Sequence, residues 1–297
     1  MAISFSLKNN LSAWCLLLGM AVATVSCSKN DDVNEVNNPP ATDTAATYLN
    51  QAYGTDAQQT MDIYLPPGRS RAATHCLIFI HGGAWTFGDK SEFTNTIDSL
   101  RRLNTPYACF NINYRLAAVG KNQYPAAEDD VQSALDYISK NSERFGVSAS
   151  WILLGTSAGA HLSVLQAYKY NNGNIKGVVS LYGVYDLTKL FDQTETAVQV
   201  ILTNVMGGIP AVKPQAYHDA SPVNYVTPQS VPVLVMYGTQ DPIAPPAQAT
   251  GFIEKLKAQG VTYEQVSYPS EHGIPPAYAA DAWTKIFAFI NKYSTGK

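Results

Sequence analysis

"ILLGTSAGAHL", residues 152–162, decides the fold. An apolar run stops at Gly155, a serine follows between two small residues, and a helical pattern begins at Ala158. The spacing predicts a strand that turns sharply into a helix at Ser157. Backbone at such a turn is strained, so the residues two before and two after must be small. Gly155 and Gly159 meet that demand. The turn would lift the Ser157 hydroxyl above the sheet and leave the N–H of Ala158 at a helix N-terminus, where it can stabilise an oxyanion. The competing reading is a plain N-capping serine. A bare G-x-S-x-G is weak, but here it follows an apolar strand and opens a helical run, the context that favours a nucleophile.

Outward from that turn the chain alternates. "TYLNQAYG" and "QQTMDIYLPPG" read as a β-hairpin closed by Pro66, Pro67 and Gly68. "HCLIFIHGG", "YACFNINYR", "KGVVSLYG" and "VPVLVMYG" are short apolar runs, as strands buried on both faces require. Between them, "YPAAEDDVQSALDYISKN" places Ala127, Val131, Leu135 and Ile138 on one helical face. A further helix is expected over about 92–103, another in "PPAQATGFIEKLKAQG", then a strand, "VTYEQVSYP", and a last helix, "PPAYAADAWTKIFAFINKY". The fold expected is α/β, a mostly parallel twisted sheet of about eight strands with helices on both faces. Residues 185–229 fall between two strands and are expected to form a small partial lid. Ligands on such sheets sit at the carboxyl ends of the strands.

The chemistry-bearing residues fall at those ends. "HGGAW", residues 81–85, ends a buried strand with two glycines that let the backbone come close to a ligand. The N–H groups of Gly83 and Ala84 can then meet the same oxyanion as that of Ala158, with Ala84 expected at negative φ. A hydroxyl near its free pKa needs a base, and the base needs an orienting partner. Among five histidines, His272 in "YPSEHGI" follows the last strand and is the best base. His161 sits on the helix four residues after Ser157 and is expected to point along it. His81 is expected to fix its own turn, His75 starts a strand, and nothing singles out His218. For the acid, "VLVMYGTQD" ends a strand and puts Asp241 in the next turn. Glu271 is too local to His272 to orient it well, and Asp186 reads as a turn or cap. The chain order is then Ser157, Asp241, His272.

"HGGAWTFGDK", "NYRLA", "YPAAEDD" and "GTSAGAHL" together resemble the α/β-hydrolase superfamily, of the carboxylesterase and hormone-sensitive-lipase-like type, and within it the bacterial acetyl xylan and feruloyl esterases. The resemblance covers roughly residues 45–295. It implies Ser157 as nucleophile, His272 as base, Asp241 as acid, and Gly83, Ala84 and Ala158 as oxyanion donors. It departs at Ala84, where many relatives carry a third glycine. It implies hydrolysis of small esters or acylated polysaccharide without metal or organic cofactor. "HGGAW" also matches an H-G-G-x-W pattern of kynurenine formamidases, so an arylformamidase-like amide hydrolase stands as a rival. A non-catalytic glycan-binding surface lipoprotein is a rival of another class.

Residues 1–27 carry Lys8, an apolar run from Leu11 to Val25 and small residues before Cys27. That run is too short for a comfortable membrane span and fits an export signal. Thr24-Val25-Ser26-Cys27 resembles the end of a bacterial lipoprotein signal, with Thr24 where an aliphatic is usual, and implies lipid attachment at Cys27. The expectation is an outer-membrane or cell-surface lipoprotein, touching membrane only through that lipid; otherwise the protein is periplasmic or secreted. Residues 28–45 read as a flexible linker and 46–297 as the catalytic domain. A net charge of −3 and the lack of a basic cluster exclude nucleic acid as the expected partner. The four cysteines include no CxxC pair, so no zinc site is indicated. Cys76 and Cys109 can bond only if their strands are neighbours; two buried free thiols is the favoured reading. The 18 tyrosines can supply a sugar-stacking surface or serve as core.

Overall fold

A computed structural model of the protein describes residues 42–294. The expected signal, Cys27 and most of the linker lie outside the described residues. β1 (Ala46–Ala52) and β2 (Thr60–Leu65) form the expected hairpin, followed by β3 (Cys76–Ile80), β4 (Ala108–Ile112), β5 (Trp151–Thr156), β6 (Ile175–Leu181), β7 (Val233–Gly238) and β8 (Tyr263–Tyr268). They make one sheet in the order β1-β2-β4-β3-β5-β6-β7-β8. β2 runs antiparallel to both of its neighbours, and every other pair is parallel.

Every residue of β3, β4 and β5 is buried, because helices cover both faces of the sheet. Successive side chains of a strand face opposite ways, so each strand feeds two cores. Phe79 and Leu154 join the core under α1 (Thr94–Arg102) and α9 (Pro276–Ser294), where Ile97, Leu100, Ile286 and Phe289 meet them. Ile78 and Leu153 join the other core, with Val131 and Leu135 of α2 (Ala126–Lys140), which α3 (Ser142–Phe145) follows directly. α4 (Ala158–Lys169) lies in that second core, buried along its length from Ala158 to Ala167. The helix expected at 92–103 is preceded by a 3₁₀ turn, Lys90–Phe93, because Asp89 caps that turn by accepting from the Ser91 N–H.

The stretch between β6 and β7 folds as α5 (Leu187–Gln193), α6 (Thr196–Met206) and α7 (Pro214–Asp219). It is tied to the loop before α2 by Tyr124 N–H to Val205 O (2.8 Å) and Gln123 Nε2 to Asn204 O (2.8 Å). α8 (Pro246–Ala258) then leads into β8.

Two quoted motifs have structural jobs. The Arg115 guanidinium of "NYRLA" forks onto the fully buried Asp130 carboxylate of α2 at 2.6 Å, and Lys169 pairs with the buried Glu128 at 2.7 Å. β3 and β4 are neighbours, yet Cys76 pairs in register with Ala108 and Leu77 with Cys109. The two thiols therefore face opposite sides of the sheet, and both are free and buried. Burial pushes the Cys109 thiol up to about 12 and the Cys76 thiol higher.

Candidate active site

Ser157 occupies the turn between β5 and α4 at φ 50°, ψ −115°, a region that costs a non-glycine residue about 1–3 kcal/mol. Its hydroxyl makes no cap bond to α4. The flanking glycines are required by contact: a Cβ on Gly155 would stand 2.2 Å from Gly159 O, and one on Gly159 would stand 2.0 Å from Ile80 O. β5, α4 and the end of β3 thus meet backbone to backbone. The Ser157 N–H donates to Leu181 O at 2.9 Å, which fixes the turn to β6.

The structure brings Ser157, His272 and Asp241 together. Ser157 Oγ lies 2.9 Å from His272 Nε2, and His272 Nδ1 lies 2.7 Å from Asp241 Oδ2. A carboxylate only accepts, so the ring proton is on Nδ1 and the lone pair of Nε2 faces the serine. Asp241 is buried, and its Oδ1 accepts from the N–H groups of Ile243 (2.8 Å) and Ala244 (2.9 Å). Those bonds hold the carboxylate plane toward the imidazole. The two loops are knitted by Thr239 N–H to Tyr268 O and Gln240 N–H to Ser270 O. Gly238 admits that contact, since a Cβ there would lie 2.3 Å from Glu271 O. The His272 ring stands edge-on to Tyr182, centroids 5.0 Å apart.

The HGGAW loop runs beside the serine: a Cβ on Gly82 would sit 3.4 Å from Ser157 Cβ. The N–H groups of Gly83, Ala84 and Ala158 donate to no acceptor among the described residues. Ala84 departs from expectation, with φ at +48° instead of negative. The loop coils tightly, Gly83 at φ 104° and Trp85 at φ 60°, so that the Trp85 side chain turns into the core. An L-residue pays roughly 1–2 kcal/mol for that conformation, which is why glycine is the easier choice at position 84.

The remaining histidines take structural places. His161 Nε2 donates to Ala220 O at 2.6 Å, while Nδ1 accepts from Trp85 Nε1 at 3.2 Å. It bridges the HGGAW loop to the segment after α7, and burial lowers its pKa to about 4. His81 stacks on Tyr114 at 4.3 Å with Nδ1 2.7 Å from Gly82 O, and burial holds it below the usual range. His75 lies at the start of β3 near Ser148, and His218 is exposed beside Asp219. Asp186 caps α5 by accepting from the Lys189 N–H.

Sequence reasoning missed Glu92. Its Oε2 accepts from the Gly82 N–H at 2.9 Å and its Oε1 from Thr156 Oγ1 at 2.6 Å. One carboxylate thereby joins the HGGAW loop to the residue before Ser157. It also missed Tyr182, held at φ 42° with its N–H on Met236 O. Burial, then the Glu92 charge, keep the Tyr182 phenol above its ordinary range. Among the described residues no group of three or more His, Cys, Asp or Glu side chains is arranged to hold a metal ion.

The chain is similar to several known proteins. The chain is 29% identical to Esterase LipC of Mycobacterium tuberculosis over 234 residues, 73% of this chain and 56% of that protein. It spans about half the length of the mycobacterial relatives it matches. It is 31% identical to the kynurenine formamidase of Meyerozyma guilliermondii, covering 72% of this chain and 82% of that one. A solved carbohydrate esterase from gut microbiota, in truncated form, superposes with a TM-score of 0.73 at 21% identity, over 87% of this chain and all of that one, 100%. That likeness shows the shared fold. The BD-FAE family model matches residues 61–256, across the sheet from β2 to α8. The chain belongs to the BD-FAE family of α/β-hydrolase esterases.

Proposed function

We propose that this protein is an exported serine esterase that removes short-chain or aromatic acyl groups from plant polysaccharide, in the manner of acetyl xylan and feruloyl esterases. The observation that carries the reading is the unbroken relay from Ser157 Oγ through both nitrogens of His272 to Asp241. In the proposed cycle His272 Nε2 takes the Ser157 proton as Oγ attacks the ester carbonyl. Asp241 steadies the imidazolium. The N–H groups of Gly83, Ala84 and Ala158 receive the oxyanion, each worth about 3 kcal/mol in the transition state. The carbonyl re-forms, and the alcohol leaves with the proton from His272. Water, activated by the same ring, then releases the acid and restores Ser157.

Support for a carbohydrate ester is the family and the fold shared with a carbohydrate esterase. Support for export is residues 1–27, with Cys27 as the lipid attachment and residues 28–45 as tether. An outer-surface lipoprotein would meet polymeric substrate too large to enter a cell. Fractionation of cells carrying Cys27→Ser tests the anchor: the variant protein should leave the membrane fraction.

The test of the chemistry is hydrolysis of p-nitrophenyl acetate, butyrate and octanoate by the protein and by Ser157→Ala, followed by acetate and ferulate release from plant xylan. Loss of the short-ester activity in the variant supports the reading. Equal inertness of both would support the glycan-binding lipoprotein, as would the lack of labelling by a fluorophosphonate. The formamidase relative favours a second reading, hydrolysis of an arylformamide. A higher kcat/KM on N-formylkynurenine than on every ester would establish it instead.

A further inference from the structure

The site has two flanks, and they differ in room. On the side of the β6–β7 insertion, the cavity between Trp85, His161 and Met206 holds only about 20 Å³, the space of about one water. Its wall is braced by the bonds from Trp85 to His161 and from His161 to Ala220. On the opposite flank, between α1 and α9, two depressions of about 210 Å³ and 320 Å³ lie end to end. The inner one is lined by Thr156, Tyr182 and Ile274. These neighbour Ser157 and His272 in the chain or, for Tyr182, touch the His272 ring. The outer one is lined by Asn95, Ser99 and Phe287. Thr96 and Trp283 line both, so the two form one groove.

The lining states what fits. Trp283 and Phe287, one turn apart on α9, lie 5.7 Å between centroids and are both half-buried, so they offer aromatic surface along the groove. Across from them α1 presents Asn95 and Thr96, whose side-chain polar atoms meet no partner among the described residues. The outer depression is lined by no ionisable side chain. A pyranose ring has C–H faces that cover an aromatic surface and an equatorial rim of hydroxyls that bond amides and hydroxyls. An acidic polymer would find no cationic side chain in either depression, and Glu92, the one carboxylate of the inner depression, already engages the Gly82 N–H and Thr156 Oγ1 with its two oxygens. A ligand pocket is a mostly apolar wall with a few placed polar groups, about 300–1,000 Å³ in size, and the groove meets that description.

We propose that the α1–α9 groove is a glycan subsite. It seats the neutral polysaccharide chain that carries the ester, with Trp283 as its stacking platform and Asn95 and Thr96 as hydroxyl partners. This rests on the esterase reading above and adds the path of the polymer: away from the insertion and out along α9. Trp283 is then a specificity determinant, acting on chain-borne esters.

The experiment separates the two readings. Binding is measured first, with Ser157→Ala protein and xylohexaose, a neutral chain without an ester to cleave. Of the tryptophans at 85, 151 and 283, only Trp283 is half-exposed, so its emission should change on saturation and Trp283→Phe should lose that change. Kinetics follow, as the ratio of kcat/KM on acetylated xylo-oligosaccharide to kcat/KM on p-nitrophenyl acetate. Trp283→Ala should lower that ratio by about tenfold or more, and Trp283→Tyr, which keeps a ring, should restore most of it. Asn95→Trp, an exposed change that fills the groove, serves if Trp283→Ala fails to fold. An unchanged ratio overturns the proposal, as does an octanoate preference lost in Trp283→Ala, which would make the groove an acyl-chain slot. Inertness of the wild type on every ester, with xylohexaose still bound, overturns the esterase reading and leaves the subsite standing.

Discussion

Glu92 and Thr156 meet at 2.6 Å, and the same carboxylate holds the Gly82 N–H at 2.9 Å. Two strand-end loops from separate parts of the chain are thus fastened on one side chain. Glu92 touches no reacting atom in the proposed cycle; it positions the loop that carries Gly83 and Ala84. Glu92→Ala should lower kcat on p-nitrophenyl acetate by about tenfold to a hundredfold, a loss of roughly 1.4–2.8 kcal/mol, with little change in KM. Glu92→Gln keeps an acceptor and should recover part of the rate. A rise in KM with kcat unchanged would assign Glu92 to ground-state binding instead.

Removal of any member of the relay should act as removal of the unit. Ser157→Ala, His272→Ala and the double variant should fall to the same residual rate, because the groups work together. Asp241→Asn should cost on the order of 10⁴ in kcat: the amide oxygen would take the Ile243 and Ala244 N–H bonds and turn its NH₂ to Nδ1, which forces the ring proton onto Nε2, the wrong tautomer. Stepwise multiplication of the single effects in the double variant would show two independent contributions and break the relay assignment.

His161 makes stability depend on pH. Its folded pKa of about 4 lies below the ordinary 6.5, so between those values the unfolded chain binds the extra proton. The stabilisation is complete above about pH 6.5 and is lost as pH falls toward 4, by an amount on the order of 3 kcal/mol. His81, also depressed by burial, works in the same direction. Thermal melts from pH 7 to pH 4 should show wild type losing Tm steadily. His161→Gln should start lower at pH 7 and lose less. Parallel curves would place the acid sensitivity elsewhere.

Gly159→Ala should be among the most damaging small changes in the chain. The added Cβ would stand 2.0 Å from Ile80 O, and backbone must move to admit it. We expect a loss of more than about 3 kcal/mol in urea unfolding, or insoluble protein. Gly251→Ala, where a Cβ meets nothing within 4 Å, is the control and should be neutral or stabilising.

The parts of the site legible in the sequence were those set by local pattern. Gly155, Ser157 and Gly159 declare a strand-to-helix turn within five residues. Asp241 and His272 stand where apolar runs end, and a parallel sheet brings such ends to one edge. Glu92 was hidden because its partners, Gly82 and Thr156, are 10 and 64 residues away. Charge on a short polar segment reads as surface until the fold is known. The positive φ of Ala84 was hidden for a related reason: the loop coils to bury Trp85 against His161, a contact between residues 76 apart. The α1–α9 groove was illegible because Trp283 and Phe287 read as ordinary members of an amphipathic helix. Of the tyrosines weighed for a sugar-stacking surface, Tyr64, Tyr114, Tyr185 and Tyr217 are core, and the proposed subsite gives that role to Trp283.

Among the described residues β8 borders the sheet and pairs only with β7, and the loop after it carries His272. Ser157 and its glycines sit at the centre, locked between β3, β6 and α4. Edge strands are released before central ones as conditions worsen. Catalysis should therefore vanish in mild denaturant while circular dichroism still registers an intact fold, with the serine in place and its proton acceptor gone astray. If the proposed relay holds, a nascent chain that has assembled the centre of the sheet should still lack esterase activity until β8 docks and brings His272 to Ser157.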